Sequence, residues 1–247
     1  MHLVLTGATG LVGGCVLQAM LTKESVTKIS IISRRPVAMA EGHEKVQVFI
    51  QRDFSSIESS TLEQLKGAHG CVWALGISMS QVGKDEYVKI TEEYALNAAK
   101  QFSTLSDTFN FVHVSGEGAT DKPGRFTALF ARIKGRTEAG LLELPTQYPS
   151  LKIYNVRPGG VDAKNQPAIH PFIPKYPSLL KKGEAMLFPL IRATYPSMIS
   201  PTKELGDFMV DLASGDGKPL EGPGIEAGGR TISNRAIRRI AGFKSGI

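Results

Sequence analysis

A short apolar strand that runs straight into Thr6-Gly7-Ala8-Thr9-Gly10-Leu11-Val12-Gly13 limits what this chain can fold into more than any other stretch. Leu3-Val4-Leu5 forms the strand. After the glycines, Leu11, Val12, Cys15, Val16, Ala19 and Met20 fall on one face at helical spacing. A glycine turn that leaves a strand and opens a helix aims unpaired N–H groups and the positive helix end at one point, where a pyrophosphate fits. Gly7 suits a tight turn at positive φ, Gly10 leaves room for phosphates to approach the backbone, and Gly13 permits close helix–strand packing. Thr6, Thr9, Leu11 and Val12 complete the expected dinucleotide loop.

The second strand, Lys28–Ser33, is β-branched and breaks at Arg34-Arg35-Pro36. Sites that bind an unphosphorylated ribose carry a carboxylate here, about twenty residues past the glycines, to take the 2′-OH. This chain has Ser33, Arg34 and Arg35 instead. Two guanidinium forks and a hydroxyl suit a 2′-phosphate, so the expected cofactor is NADP(H).

A length of 247 residues supports one large domain with one good core. The net charge of +6 is spread along the chain, with Arg235, Arg238 and Arg239 on the solvated face of a short terminal helix, so no nucleic-acid partner is expected. Cys15 and Cys71 fall on a core stripe and in a strand, as small hydrophobes rather than a disulfide or metal pair. His2, His43, His69, His113 and His170 show no metal-ligand spacing. No apolar run has the roughly twenty residues that span a bilayer, and the fold starts at residue 2, leaving no room for a leader. The expectation is a soluble, cytoplasmic protein with no membrane partner; oligomeric state is not readable.

Strands and helices alternate through the first two-thirds, the mark of a doubly wound parallel α/β sheet of Rossmann type. Further strands are expected at Val46–Ile50, residues 70–75, Phe109–Val114 and Leu151–Val156. Helices are expected at residues 57–66, 85–102, 126–144 and Thr202–Ser214, with a short basic one ending at Ile240. The stretch 161–201 is rich in proline, including Pro171, Pro174, Pro177, Pro189 and Pro196, and carries His170. Its place beyond the last core strand suits a substrate cover or plain surface loop equally, and residues 161–247 form the expected substrate-covering part.

Taken together, the glycines, the strand-end arginines, Asp53-Phe54, Gly76, Ser115, Lys134 and Arg157-Pro158-Gly159 resemble a short-chain dehydrogenase/reductase. More narrowly, they resemble the atypical NAD(P)-binding, epimerase-like branch of fungal and Tat-interacting-protein-30-like proteins. The resemblance covers nearly the whole chain. It implies that Asp53 and Phe54 flank the adenine, that Leu75 and Gly76 pass over the adenosine ribose, and that Pro158-Gly159 lies against the nicotinamide. It also implies a serine that polarises a substrate carbonyl, here Ser115. A lysine, here Lys134, would hold the nicotinamide ribose and lower the pKa of a tyrosine one helical turn earlier.

That tyrosine is absent. Phe130-Ala131-Arg132-Ile133-Lys134 places a phenyl ring at the acid position, and no tyrosine lies between Tyr94 and Tyr148. Phenylalanine carries no proton. Tyr87, His113, Glu117, Asp121 and His170 are the candidate side chains to replace it, with bound water as the other source. His113, mid-strand, reads first as a satisfied core histidine. The reading is an NADP(H)-dependent oxidoreductase acting on a small carbonyl or conjugated organic substrate such as a secondary metabolite. Two alternatives stay open: a non-redox isomerase, dehydratase or cyclase with Phe130 in a dry pocket wall, or a non-catalytic NADP(H)-responsive binding protein. The chain that keeps serine and lysine around a phenyl ring is expected to have built its chemistry on that ring, so that Phe130→Tyr lowers the native activity.

Overall fold

The computed structural model describes residues 1–174 and 194–243. Eight strands form the main sheet in the order β3-β2-β1-β4-β5-β6-β10-β9. The first six, β1 (His2–Thr6), β2 (Lys28–Ser33), β3 (Val46–Ile50), β4 (Gly70–Trp73), β5 (Phe109–Val114) and β6 (Leu151–Val156), are all parallel. Their apolar runs fit strands covered on both faces. β10 (Thr231–Ile232) joins β6 in parallel, and β9 (Ile225–Glu226) closes the edge antiparallel. The order reverses between β1 and β4, which opens a crevice beyond their carboxyl ends. The fold class expected from the alternation is therefore the one observed.

Helix α1 (Leu11–Thr22) covers one face together with α6 (Thr202–Ser214). Cys15, Val16, Ala19 and Met20 are buried as the spacing predicts, whereas Leu11 and Val12 are half-buried at the crevice. The opposite face carries α2 (Ser59–Leu65), a long helical arm and α5 (Leu129–Glu143). That arm, expected as one helix over 85–102, is α3 (Lys84–Val88), a π turn at Lys89–Glu93 and α4 (Tyr94–Phe102). Trp73 anchors this face, packed against Phe54, Phe102 and Phe111 with ring centroids 6.1, 6.5 and 5.9 Å away.

The expected strand 70–75 ends at Trp73, and the expected helix 126–144 begins at Leu129, because the chain between β5 and α5 is held as a loop. In the proline-rich stretch, Gly160–Asp162 (β7) pairs in parallel with Ile199–Pro201 (β8), so its two ends meet. Pro177 and Pro189 lie outside the described residues. A short C-terminal helix, α7 (Asn234–Ile240), matches the expected basic helix and is capped by the Ser233 hydroxyl. Among the described residues no helix is long and apolar enough to cross a membrane.

One buried ion pair ties α5 to the sheet. Glu138, with its side chain 4% exposed, accepts from Arg157 Nε at 2.9 and 3.1 Å, while Arg157 Nη1 reaches the exposed Glu226 at 3.0 Å. Truncating one partner strands the other charge, whereas a solvated partner is worth little. Glu138→Ala should therefore lower unfolding free energy by about 3–5 kcal/mol, and Glu226→Ala by less than about 1 kcal/mol. Urea denaturation of both variants checks the contrast.

Candidate functional site: the crevice at the carboxyl edge

Gly7 turns at φ +70°, and a Cβ there would lie 2.2 Å from the Ala74 carbonyl oxygen. A Cβ on Gly13 would lie 2.0 Å from the Gly7 carbonyl oxygen. Both positions exclude any side chain. Gly10 differs, since a Cβ there would meet one atom, Gly7 O at 3.3 Å, and otherwise open space. No side chain caps α1 and no carboxylate sits in its first turn, so its leading N–H groups face the crevice without an intrahelical acceptor. Glycines that no Cβ can replace, around an uncapped helix start, make a cradle that fits the pyrophosphate of a dinucleotide.

A trough continues from the cradle as two adjoining cavities of about 380 and 590 Å³. Thr9, Ser33, Arg34 and Arg35 line the first, and Arg52, Lys89 and Tyr94 the second. Arg34, Phe54, Leu75, Gly76 and Ile77 line both. Arg34 and Arg35 are exposed; Ser33 is buried, and its hydroxyl accepts from Arg35 N at 3.4 Å. Arg52 is the guanidinium that sequence reasoning missed, because the ribose-binding pattern points to the end of β2 whereas this residue follows β3. Asp53 is exposed, and its Oδ1 accepts from Ser55 N, Ser55 Oγ and Tyr94 OH at 3.0, 2.8 and 2.9 Å. Those bonds hold its carboxyl down to about 2. Phe54 is buried between Trp73 and Tyr94.

Ser115 follows β5 and is 4% exposed, and its Oγ has no hydrogen-bond partner. Thr6 Oγ1, at the end of β1, is orphaned and buried in the same way. Buried hydroxyls are ordinarily paired, and two left free at one sheet edge suit a ligand that supplies the partners. Lys134 Nζ donates to the Ser115 carbonyl at 2.8 Å. Gly135 makes that contact possible: a Cβ on it would sit 2.0 Å from Thr120 O, so α5 touches the loop after β5 directly. Sequence reading passes over a helical glycine of this kind, since its reason lies in a loop fifteen residues away.

Phe130, one turn before Lys134 on the same helix face, is 42% exposed. The dry wall that the non-redox alternative expected around Phe130 is therefore not what the described residues build. The candidate replacement acids are engaged elsewhere or open to water. Tyr87 is buried. His113 Nδ1 lies 3.0 Å from Asn155 Oδ1, and because the Asn155 amide donates to Glu138 O, that ring nitrogen donates. Burial, with the Lys134 charge, takes its pKa down to about 3, the satisfied core histidine expected. Glu117 accepts from Asn234 N at 3.0 Å, Asp121 is exposed, and the exposed His170 places Nε2 2.7 Å from Ala163 O. Gly159 is committed too: its N–H donates to Ser200 Oγ at 3.0 Å, and a Cβ on it would lie 2.2 Å from Met198 O. Pro158 O accepts from Glu117 N, closing the loops after β5 and β6 on each other.

No family model matches the chain. It is 37% identical to "Leucinostatins biosynthesis cluster protein T" of Purpureocillium lilacinum, over 96% of this chain and 94% of that protein. The chain belongs to the family of that biosynthesis-cluster protein, with "Protein HTATIP2" of Rattus norvegicus a more distant relative at 25% identity over 79% of this chain and 80% of that one. "Botcinic acid biosynthesis cluster B protein 16" of Botryotinia fuckeliana is 44% identical over 60% of this chain and 99% of its own. Among solved structures, a short-chain dehydrogenase/reductase family oxidoreductase from Burkholderia thailandensis superposes with TM-score 0.67 at 12% identity, over 95% of this chain and 91% of that one. The shared fold is thus that of nicotinamide-dependent oxidoreductases and epimerases.

Burial takes the Lys134 ammonium down to about 8, with nearby Glu138 opposing the shift. A lysine whose folded pKa is depressed costs stability below that value, and the cost fades as pH rises toward its unfolded pKa. The unfolding free energy of the native protein, minus that of Lys134→Met, should thus rise between pH 7 and 9.5 by about 1–2 kcal/mol. Paired denaturant titrations read the difference; a flat one would show that the lysine is not desolvated.

Proposed function

We propose that this protein is an NADP(H)-dependent oxidoreductase of secondary metabolism that acts on a carbonyl or conjugated organic substrate. The observation that carries the reading is the buried, unpartnered Ser115 hydroxyl, set beside Lys134 at the end of β5 and the trough of three arginines. Biosynthesis-cluster relatives support the metabolic setting. Thr6, Gly7, Thr9, Gly10, Leu11, Val12 and Gly13 would cradle the pyrophosphate. Ser33, Arg34 and Arg35, joined by Arg52, would hold the 2′-phosphate by charge-assisted bonds. Asp53, Phe54, Leu75 and Gly76 would bound the adenosine, and Lys134, Pro158 and Gly159 the nicotinamide end.

When bound, the nicotinamide supplies or accepts a hydride. The chain does the rest. The Ser115 hydroxyl donates to the substrate oxygen and holds charge that develops there. Lys134, fixed on the Ser115 carbonyl, keeps a positive field on the same side. With phenylalanine at 130, the proton reaches product from water in the open crevice. The same phenylalanine favours a second reading, a non-redox isomerase, dehydratase or cyclase, in which NADP(H) is retained and not consumed.

Fluorescence titration tests the cofactor assignment. NADPH should bind more than roughly tenfold tighter than NADH, since charge-assisted phosphate contacts contribute about 1.5–3 kcal/mol each. Arg34→Ala and Arg52→Ala should each erode that preference, and equal affinity for both cofactors in the native protein refutes it.

Phe130→Tyr is the sharper test of chemistry. Because the ring is exposed on the Lys134 face rather than enclosed, a phenol there meets both the ammonium and solvent. NADPH oxidation on simple ketones should rise by about 10²–10⁴-fold, the usual worth of general acid–base catalysis. This reverses the outcome expected from the sequence, where a buried ring was assumed. No gain in a variant that binds NADPH normally would favour the non-redox reading.

A further inference from the structure

We propose that Asn234 is a positioning residue for the nicotinamide end of the crevice, through which the C-terminal part of the chain sets the Ser115 loop. This rests on the proposed function in one respect, the placing of a nicotinamide beside Ser115 and Gly159. Asn234 opens α7, far in sequence from both, and is 3% exposed. Four segments meet on it. Its Nδ2 donates to Ser197 O at 2.7 Å, in the turn before β8. Its Oδ1 accepts from Ser200 Oγ at 2.6 Å, and that hydroxyl oxygen accepts from Gly159 N at 3.0 Å. Its backbone N–H donates to Glu117 Oε2 at 3.0 Å, while Glu117 N donates to Pro158 O at 3.0 Å. The bonds close on themselves. Pro158-Gly159, Ser200, Asn234 and Glu117 form one circuit, in which a shift of any member stretches the bonds of its neighbours.

The centre of this circuit calls for an amide. Ser197 O is a carbonyl and can only accept, whereas the Ser200 hydroxyl, having taken the Gly159 N–H, has its own proton left to give. One side chain must therefore donate on one side and accept on the other. Aspartate would set a carboxylate against the Ser197 carbonyl. Leucine would leave that carbonyl and the proton of the fully buried Ser200 without partners, and unpaired buried groups are costly.

What the circuit holds is the polar centre of the crevice. Gly116 links Ser115 to Glu117, and a Cβ on it would lie 3.9 Å from Lys134 Nζ, the ammonium that bonds the Ser115 carbonyl. Ser115 N donates to Val156 O at 2.8 Å, which fixes that backbone from the side of β6. On the other arm, a Cβ on Gly159 would lie 2.2 Å from Met198 O and 2.9 Å from Asn234 Nδ2. Asn234 thus abuts the turn proposed to flank the nicotinamide, and its carboxylate partner belongs to the loop of the hydroxyl proposed to hold the substrate oxygen. The cradle of Gly7, Gly10 and Gly13 shares none of these bonds. The circuit therefore governs one end of the dinucleotide site and leaves the other alone.

Calorimetric titration of the full-length protein compares NADPH with 2′-phospho-ADP-ribose, which carries the same phosphorylated adenosine and pyrophosphate but no nicotinamide. The ratio of the two affinities isolates what the nicotinamide end contributes. Native protein should bind NADPH about tenfold tighter, the worth of one or two hydrogen bonds. Asn234→Ala should cut that ratio about fivefold, with affinity for 2′-phospho-ADP-ribose held within about twofold. Ser200→Ala removes one hydroxyl and leaves the bonds of Asn234 to Ser197 and Glu117. It should lower the ratio in the same direction, and it carries the test if Asn234→Ala does not fold. Tyr154→Phe removes another hydrogen bond of a buried side chain, Tyr154 OH to Lys218 O at 2.7 Å, from a residue that lines neither crevice cavity. It should leave the ratio as in native protein. A native ratio near one, a ratio unmoved in the circuit variants, or one moved as far by Tyr154→Phe overturns the inference and leaves the proposed function standing. So does an equal loss of both ligands in the circuit variants, since Asn234 then supports the fold at large. Native protein that binds neither ligand refutes the proposed function and the inference with it.

Discussion

Two backbone contacts that admit no side chain hold the crevice in place: Gly7 under the Ala74 carbonyl, and Gly13 on the Gly7 carbonyl. Together they lock the end of β1, the exit of β4 and the first turn of α1 within van der Waals contact. A methyl group at either point would push backbone against backbone, where nothing flexible can yield. The helix start would then lose its aim, and the open space at Gly10 would close or tilt. Everything downstream inherits this geometry. The trough lined by Arg34 and Arg52 begins where those three elements meet, and Pro174 is drawn to the same place from the far end of the chain.

A second close approach, Gly135 on Thr120, does for the Lys134–Ser115 contact what the glycine turn does for the crevice. It seats α5 on the loop after β5, so a lysine on the helix reaches a carbonyl on the loop. Burial weakens the hold of Lys134 on its proton. Glu138, a turn further along, limits that loss while it pairs with Arg157. The same helix thus carries the structural ion pair and the buried Lys134 ammonium, and the two are electrostatically linked. Disturbing Glu138 is expected to unseat α5 as well as to alter Lys134.

The parallel sheet and its six core strands were legible because each strand is a short, mostly apolar run flanked by turn residues, a local signal. Thr202–Ser214 was legible to the residue, since its apolar stripe is regular. The π turn at Lys89–Glu93 was not, because apolar positions Thr91, Ala95, Ala98 and Phe102 keep a helical rhythm through it. β7 to β10 have two or three residues each and no periodicity to read; pairing partners decide them. The glycines announced themselves through spacing, and Ser115 and Lys134 through the family resemblance. Arg52, Gly135 and the Ser200–Asn234–Glu117 network did not, because each depends on a contact distant in sequence. Phe130 was legible as a phenylalanine one helical turn before Lys134, but the enclosed ring that the non-redox alternative supposed is not what the described residues build. Residue type was visible, whereas exposure at the first turn of a helix depends on where the preceding loop goes.

The loss of the phenol narrows the chemistry that the proposed function can serve. His113 and Glu117 are spent on structural partners, Tyr87 is buried, and Asp121 and His170 stand in solvent. None of them hydrogen-bonds to Ser115 or Lys134. Reduction of a simple ketone needs a proton delivered to oxygen as the bond changes, the step a phenol normally performs. A conjugated acceptor is less demanding. Its charge spreads onto an oxygen that the Ser115 hydroxyl can hold, and water can protonate carbon afterwards. The open position of Phe130 leaves that water a path. Under the proposed function, a crevice with the Ser115 hydroxyl and the Lys134 ammonium but no phenol at 130 is thus better matched to an enone than to an isolated carbonyl.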